Sequence, residues 1–189
     1  MKKILIRDLY RYVGKRVDNV FVRLRYIFFS PAYRYIYMFR HAQEAKFKPI
    51  KLMWIVFLRL CMRGTGIQIP YYTKIGPGLR IMHFGMIIVN PNAKIGKNFN
   101  IAPGVLIGMA AGKHAGSPVI GDNVYIGQNA TVIGGINIGN NVMIAPGAFV
   151  NFDVPDNSIV LGNPGKIISK DNPTALYIDY PIEKRWKTE

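Results

Sequence analysis

Aliphatic side chains recur at every sixth position through the second half of the chain. Between residues 119 and 150 the series Ile120, Ile126, Val132, Ile138, Ile144 and Val150 keeps that spacing without a break, and four of the six are followed by Gly or Ala. An α-helix would need a period near 3.6 and a plain strand a period of two. Six is a multiple of two, so each unit can be a short strand plus a turn with its aliphatic always facing inward. A hexapeptide period of this kind predicts a parallel β-helix. The same register continues upstream as Ile69, Ile75 and Ile81, and as Val89, Ile95, Ile101 and Ile107. Thirteen units in register exclude a chance pattern in a Gly-rich chain.

Two steps break the period. Ile81 to Val89 is eight residues and Ile107 to Ile120 is thirteen, and each long step contains a histidine, His83 and His114. Working groups concentrate on loops held by rigid scaffolds, so these two insertions are the first places to look for chemistry.

Residues 1–63 lack the six-residue rhythm. Ser30-Pro31 reads as an N-cap followed by Pro at the first helical position, which predicts a helix from Pro31 into the Ala45 region. Pro49 separates it from a second helical stretch, Ile50 to Met62, ended at Arg63-Gly64, and residues 7–29 read as a third helix weakened by Gly14. The expected fold class is mainly β, a parallel β-helix of hexapeptide repeats preceded by a basic α-helical region. The expected division is 1–63 for the helices, 64–168 for the repeats and 169–189 for a C-terminal tail.

Charge sharpens that division. The 189 residues carry +15 overall; residues 1–63 hold fifteen Lys/Arg against three acids, hence +12, and residues 64–189 hold ten against seven, hence +3. Aromatic residues are interleaved with the cations of the front end. That mixture suits an anionic membrane surface, and it equally suits a helical cap packed on the end of the repeats with solvated charges. Nucleic-acid binding has no recognition motif behind it. The repeat core is expected to stand independently of this basic segment. Arg7, Asp8 and Arg11 interrupt any signal-peptide core, and the longest apolar run, Leu52 to Leu58, is far short of the ~20 residues a spanning helix needs. The single Cys61 excludes an intramolecular disulfide and suits a reducing compartment. The expected location is cytoplasmic, with peripheral contact at the inner membrane face.

With repeats and histidines placed, the chain resembles the left-handed β-helix hexapeptide acyltransferases, and among them the serine acetyltransferase branch and the O-acetyltransferases of bacterial polysaccharide synthesis. The resemblance covers about Gly64 to Ile168 and is carried by LRIMHFGMIIVNPNAKIG (79–96), GMAAGKHAGSPVIGDN (108–123) and LGNPGKII (161–168). It implies a left-handed coil of three hexads per turn, a homotrimer, and acetyl-CoA held in a groove between adjacent β-helices. It also implies that the loop from Met109 to Pro118 reaches the neighbouring subunit. There are departures. The branch carries Asp before its first histidine, where this chain has Met82, and Asp-Ile-His where it has Gln68-Ile69-Pro70. Only Lys113 answers an Arg that precedes the second histidine. The missing acids handle serine's amino group and orient the base, so their loss argues against serine as acceptor.

Acetyl transfer from a thioester to a hydroxyl needs a base, and histidine suits that task because its unperturbed pKa of ~6.5 lies near working pH. His83 is the expected general base. His114 reads either as a group that positions the acceptor or assists proton transfer from the neighbouring subunit, or as a residue of a Gly-rich loop; Lys113 and Met82 are the expected acceptor contacts. His41 is expected to be structural. Backbone N–H groups of small-residue turns, Gly85 by position, are expected to hold the oxyanion. Neither Cys61 nor any Ser-His-Asp arrangement supports a covalent acyl-enzyme, so transfer is expected to be direct, in a ternary complex. The pantetheine arm is expected along Gly127, Ala145 and Gly147, with Lys166 and Lys170 meeting phosphates and Pro164 and Gly165 shaping the turn. No residue cluster points to a metal. The leading expectation is an acetyl-CoA-dependent O-acetyltransferase acting on a saccharide. The alternatives are a serine or other small-molecule acetyltransferase, and a non-catalytic β-helix scaffold.

Overall fold

A computed structural model describes residues 2–186. Four helices come first: α1 (Lys2–Val13), α2 (Val20–Phe29), α3 (Pro31–Glu44) and α4 (Lys48–Thr65). The single helix expected over residues 7–29 is two helices. Gly14 takes φ +57, which opens a short 3-10 turn, Gly14–Asp18, and Asn19 then caps α2 by accepting from the N–H groups of Phe21 and Val22. A side chain at Gly14 would sit 2.9 Å from the Tyr180 ring, so packing enforces the break. Ser30 caps α3 as expected, its hydroxyl accepting from Tyr33 N–H at 3.4 Å. The stop of α4 is not Gly64 but Gly66, which takes the left-handed conformation (φ +73) that a helix C-terminus favours in glycine.

Fifteen short strands follow: β1 (Ile67–Gln68), β2 (Lys74–Ile75), β3 (Arg80–Ile81), β4 (Ile87–Val89), β5 (Lys94–Ile95), β6 (Asn100–Ile101), β7 (Leu106–Gly108), β8 (Val119–Ile120), β9 (Tyr125–Ile126), β10 (Thr131–Ile133), β11 (Asn137–Ile138), β12 (Val142–Ile144), β13 (Phe149–Val150), β14 (Ser158–Leu161) and β15 (Lys166–Ser169). They build three parallel sheets, each taking every third strand as far as β13: β1-β4-β7-β10-β13, β2-β5-β8-β11, and β3-β6-β9-β12, which β14 extends and antiparallel β15 closes. These are the three faces of a parallel solenoid.

The thirteen aliphatics of the six-residue rhythm become three buried columns, one per face. Val89, Ile107, Val132 and Val150 pair on the first face, with Ile69 one residue beyond β1. Ile75, Ile95, Ile120 and Ile138 pair on the second, and Ile81, Ile101, Ile126 and Ile144 on the third. Val154 and Val160 extend the second and third columns. The step from Val150 to Val154 is only four residues, so the last coil is shortened, a contraction that the sequence rhythm does not reveal because Val154-Pro155 ends no hexad. At the corner between second and third faces, Asn98, Asn123, Asn141 and Asn157 all hold φ between +53 and +57. Their amides bond along the stack, Asn98 to Asn123 at 2.8 Å and Asn141 to Asn157 at 2.6 Å.

The helical region is part of this core. An open parallel sheet leaves unpaired backbone groups at its end, and side chains of α1 and α3 pair them. The Tyr35 hydroxyl bonds both N–H and C=O of Ile69, and Tyr12 does the same at Ile81. Buried Asp8 and Arg40 serve the corner between them. The expectation that the repeats stand independently of the basic segment is therefore corrected: removing α1 would expose the first coil. The C-terminal segment runs back along the third face. Tyr177 stacks on Tyr125 at 4.2 Å, Glu183 accepts from Asn98 at 2.7 Å, and Arg185 pairs with Asp18 at 2.7 Å beside α2.

Candidate active site

The corner joining the third face to the first is a stack of turns after β3, β6, β9 and β12. Each turn bonds to the next: Gly104 N–H to Met86 C=O at 2.6 Å, Asn129 N–H to Pro103 C=O at 3.0 Å, and Gly147 N–H to Gln128 C=O at 2.8 Å. His83 sits on the first turn, Gly127 on the third, and Ala145 and Gly147 on the fourth. The expected base and the expected coenzyme residues thus share one edge, with about 14 Å between the first and fourth levels at ordinary strand spacing.

The extra residues after β3 lie across the neighbouring turn. Met82 N–H stays in the ladder with Ile101 C=O at 2.9 Å, and the chain then swings outward through His83 and Phe84, both exposed. Gly85 returns it at φ +148, where a Cβ would already stand 3.3 Å from Pro103. The swing opens a groove of about 520 Å³ between the His83 turn and α2, walled by Met82, Phe84, Tyr26, Phe29, Arg16 and Arg25. Arg16 and Arg25 are exposed and make no ion pair among the described residues, and no carboxylate lines the groove. The sequence reading missed this wall because it sought the site inside the repeats; the visible signal was a run of cations with no acid between residues 19 and 43.

His114 lies elsewhere. It ends the 3-10 turn Gly112–His114 in the loop between β7 and β8, at the corner joining the first face to the second. That loop is strapped down rather than free: Ala110 and Gly116 exchange two backbone bonds, His114 C=O accepts from Gly135 N–H at 2.9 Å, and Ser117 Oγ donates to Asn90 at 3.0 Å. One chain therefore does not bring His83 and His114 together, nor Met82 and Lys113. Lys113 is exposed beside His114. His41 is a core group, as expected: it is buried against Tyr37 and Trp54, with ring centroids 4.1 and 4.4 Å away, and its Nδ1 lies 2.8 Å from Tyr37 C=O. Burial holds its pKa below the ordinary value, and burial also pushes the Cys61 thiol up, away from nucleophilic use.

The small residues of the edge differ among themselves. A Cβ at Gly127 would stand 2.6 Å from Pro146 N, so close stacking of turns already accounts for that glycine. Ala145 is buried. Gly147 takes φ +70, and a Cβ there would meet nothing within 4 Å, so there is open space beside a backbone whose N–H is already bonded to Gln128. Gly165 N–H bonds Phe149 C=O at 3.0 Å in the turn that leads into β15, and Lys166 and Lys170 are exposed at the two ends of that strand. Lys166 therefore starts β15 at this edge, while Lys170, whose N–H bonds Asn157 C=O at 3.0 Å, lies just past its other end at the corner between the second and third faces.

Comparisons with known proteins bear on the repeats and on the fold. Residues 117–151 match the bacterial transferase hexapeptide (six repeats) family. A serine acetyltransferase of Staphylococcus aureus is 41% identical over 109 residues, covering 57% of this chain and 51% of its own length. Serine acetyltransferase 2 of Arabidopsis thaliana is 38% identical over 105 residues, covering 54% of this chain and 32% of its own. Among solved structures, the serine acetyltransferase of Neisseria gonorrhoeae superposes with TM-score 0.70 at 27% identity, over 89% of this chain and 66% of that one. The soybean serine acetyltransferase apoenzyme gives 0.73 at 25%, over 88% and 68%. The chain spans about a third to a half of the curated relatives it matches. Its hexapeptide solenoid is thus of the kind found in serine acetyltransferases.

Proposed function

We propose that the chain transfers an acetyl group from acetyl-CoA to an acceptor hydroxyl, with His83 as general base. The observation that carries this reading is the shared edge: an exposed histidine at one level, and open space beside Gly147 on the same stack of turns. In the proposed step a ring nitrogen of His83 takes the hydroxyl proton as the oxygen attacks the thioester carbonyl. The Gly85 N–H, two residues on, is the nearest candidate in sequence to meet the developing oxyanion. The intermediate collapses by breaking the C–S bond, and the imidazolium returns its proton to the coenzyme sulfur, so no acyl-enzyme forms. His114 joins from a neighbouring subunit in this scheme, which a homotrimer supplies, because the two histidines occupy different corners of one chain.

The comparisons support serine as acceptor better than a saccharide. The saccharide reading keeps one specific observation in its favour: the groove beside His83 presents Arg16 and Arg25 and no carboxylate, so a free ammonium finds no counter-charge there. An acetyl-CoA assay against serine and a panel of capsule-type saccharides separates the two. His83→Ala should lower kcat by ~10²–10⁴ with coenzyme affinity kept. Wild-type turnover in that variant would sink the assignment, and turnover of neither acceptor class by the trimer would favour a scaffold.

A further inference from the structure

The four helices divide their labour. While α1 and α3 turn inward to pair the first coil, α2 buries none of its residues and α4 buries only Leu58 and Thr65. On α2 Phe21, Phe28 and Phe29 stand 77%, 63% and 81% exposed; on α4 Leu52, Val56 and Leu60, spaced four apart along one outward stripe, stand 62%, 46% and 55% exposed. A surface helix normally turns charged or polar residues outward, and large apolar side chains left exposed along a helix mark an interaction site.

We propose that α2 and α4 dock this protein onto an anionic lipid surface. Charge selects the occupant. Neither helix contains an acidic residue, while Arg23 and Arg25 lie on α2 and Lys48, Lys51, Arg59 and Arg63 on α4. A second copy laid on this face would set cations against cations with no carboxylate to answer them. A nucleic acid would meet the cations but not the aliphatic stripe. A membrane interface meets both: the apolar face sinks to the acyl boundary, and each cation near an anionic headgroup strengthens the contact. Neither helix can span a bilayer, since no helix among the described residues is long and apolar enough, so the contact is peripheral. Both helices also flank the His83 turn. One groove lies between it and α2, and a second, lined by Phe57, Leu60 and Phe84, opens toward α4. Docking therefore brings the mouth of the His83 groove to the headgroup layer. The docking inference stands apart from the catalytic reading and is tested without substrate.

The test is co-sedimentation of the full chain with phosphatidylcholine vesicles, with and without about one third phosphatidylglycerol, across a salt series. Binding should be at least ~10-fold stronger to the anionic vesicles and weaken with salt. The doubly substituted Leu52→Glu/Leu60→Glu chain should lose binding at every salt concentration while its circular dichroism and thermal unfolding stay unchanged, because both side chains are exposed. Arg59→Gln/Arg63→Gln should weaken binding and flatten its salt dependence. Equal binding to both vesicle types, or none to either, overturns the proposal. So does a fall in oligomeric mass in Leu52→Glu/Leu60→Glu, which would assign the face to contacts between copies.

Discussion

Asp8 and Arg40 close the first coil of the solenoid as a buried pair, 2.8 Å apart and each about 1% exposed or less. Asp8 Oδ1 accepts from the N–H groups of Gly78 and Leu79 at 2.7 and 2.9 Å, and Arg40 donates to the carbonyls of Ile75 and Gly76, both at 2.7 Å. A carboxylate from α1 and a guanidinium from α3 thus do what the next coil of a longer solenoid would do. Arg11 completes the corner, donating to Gly78 C=O and to Asn100, and burial pushes its pKa down to about 10.

Removing either partner leaves a buried charge unanswered. Asp8→Ala or Arg40→Ala should cost ~3–5 kcal/mol and lower Tm by roughly 6–20 °C. Calorimetry on the two single variants and the double variant should show strong coupling, the double losing much less than the sum. Additive losses would mean that the pair does not act as a unit.

Tyr12 and Tyr35 offer a cleaner measurement, because each hydroxyl both donates to and accepts from one residue, at 2.8 and 2.9 Å. Tyr12→Phe and Tyr35→Phe should each cost ~1–3 kcal/mol, the expense of leaving a backbone N–H and C=O unpaired. They serve different faces, so the double variant should add to within ~0.5 kcal/mol. Denaturant unfolding reads the sum directly.

His41 makes stability depend on pH. Its folded pKa is held below the ordinary value by burial, so the unfolded chain binds the extra proton first as pH falls. The stability it contributes is complete above about 6.5 and is lost as pH drops below that value toward the folded pKa. Tm should fall between about pH 7.5 and 5.5, and His41→Gln should reduce the fall. An identical slope in that variant would place the titration elsewhere.

The separation of the two histidines gives a test of site sharing. In the proposed homotrimer, His83→Ala and His114→Ala chains, unfolded together and refolded as a mixture, should recover activity that each variant alone has lost, at up to about one site in four for random mixing. No recovery would confine the working groups to a single chain, and would leave His114 with only its loop contacts.

The solenoid was legible because one physical constraint, an inward aliphatic on every strand, writes itself into spacing; all thirteen residues of the rhythm ended in three columns. His83 and His114 were legible as interruptions of that spacing. The end cap was harder to see, although its parts were present: Asp8, Arg11 and Tyr12 are spaced three and four apart on α1, which sets them on one face, and Asp8 is a lone acid amid cations. What spacing cannot express is which partner a helix face meets, so the carboxylate bonded to Gly78 stood out only as a break in a signal-peptide core. The same limit hid α2 as a wall of the His83 groove. Nor does spacing show that the nearness of Pro146 by itself requires glycine at 127.

Both ends of the solenoid are finished differently from its middle. At the start, α1 and α3 occupy the hydrogen-bonding positions that a preceding coil would use. At the finish, β15 runs antiparallel to β14, from Lys166 to Ser169, so the parallel register has no next rung. A parallel coil with bare ends would be self-complementary head to tail, and copies joined that way form an open filament that nothing terminates. Here a foreign coil meets tyrosine hydroxyls and an ion pair at one end and a reversed strand at the other. On the third face the stack of parallel strands is thereby ended by the chain itself, and a second copy added there head to tail finds no parallel partner.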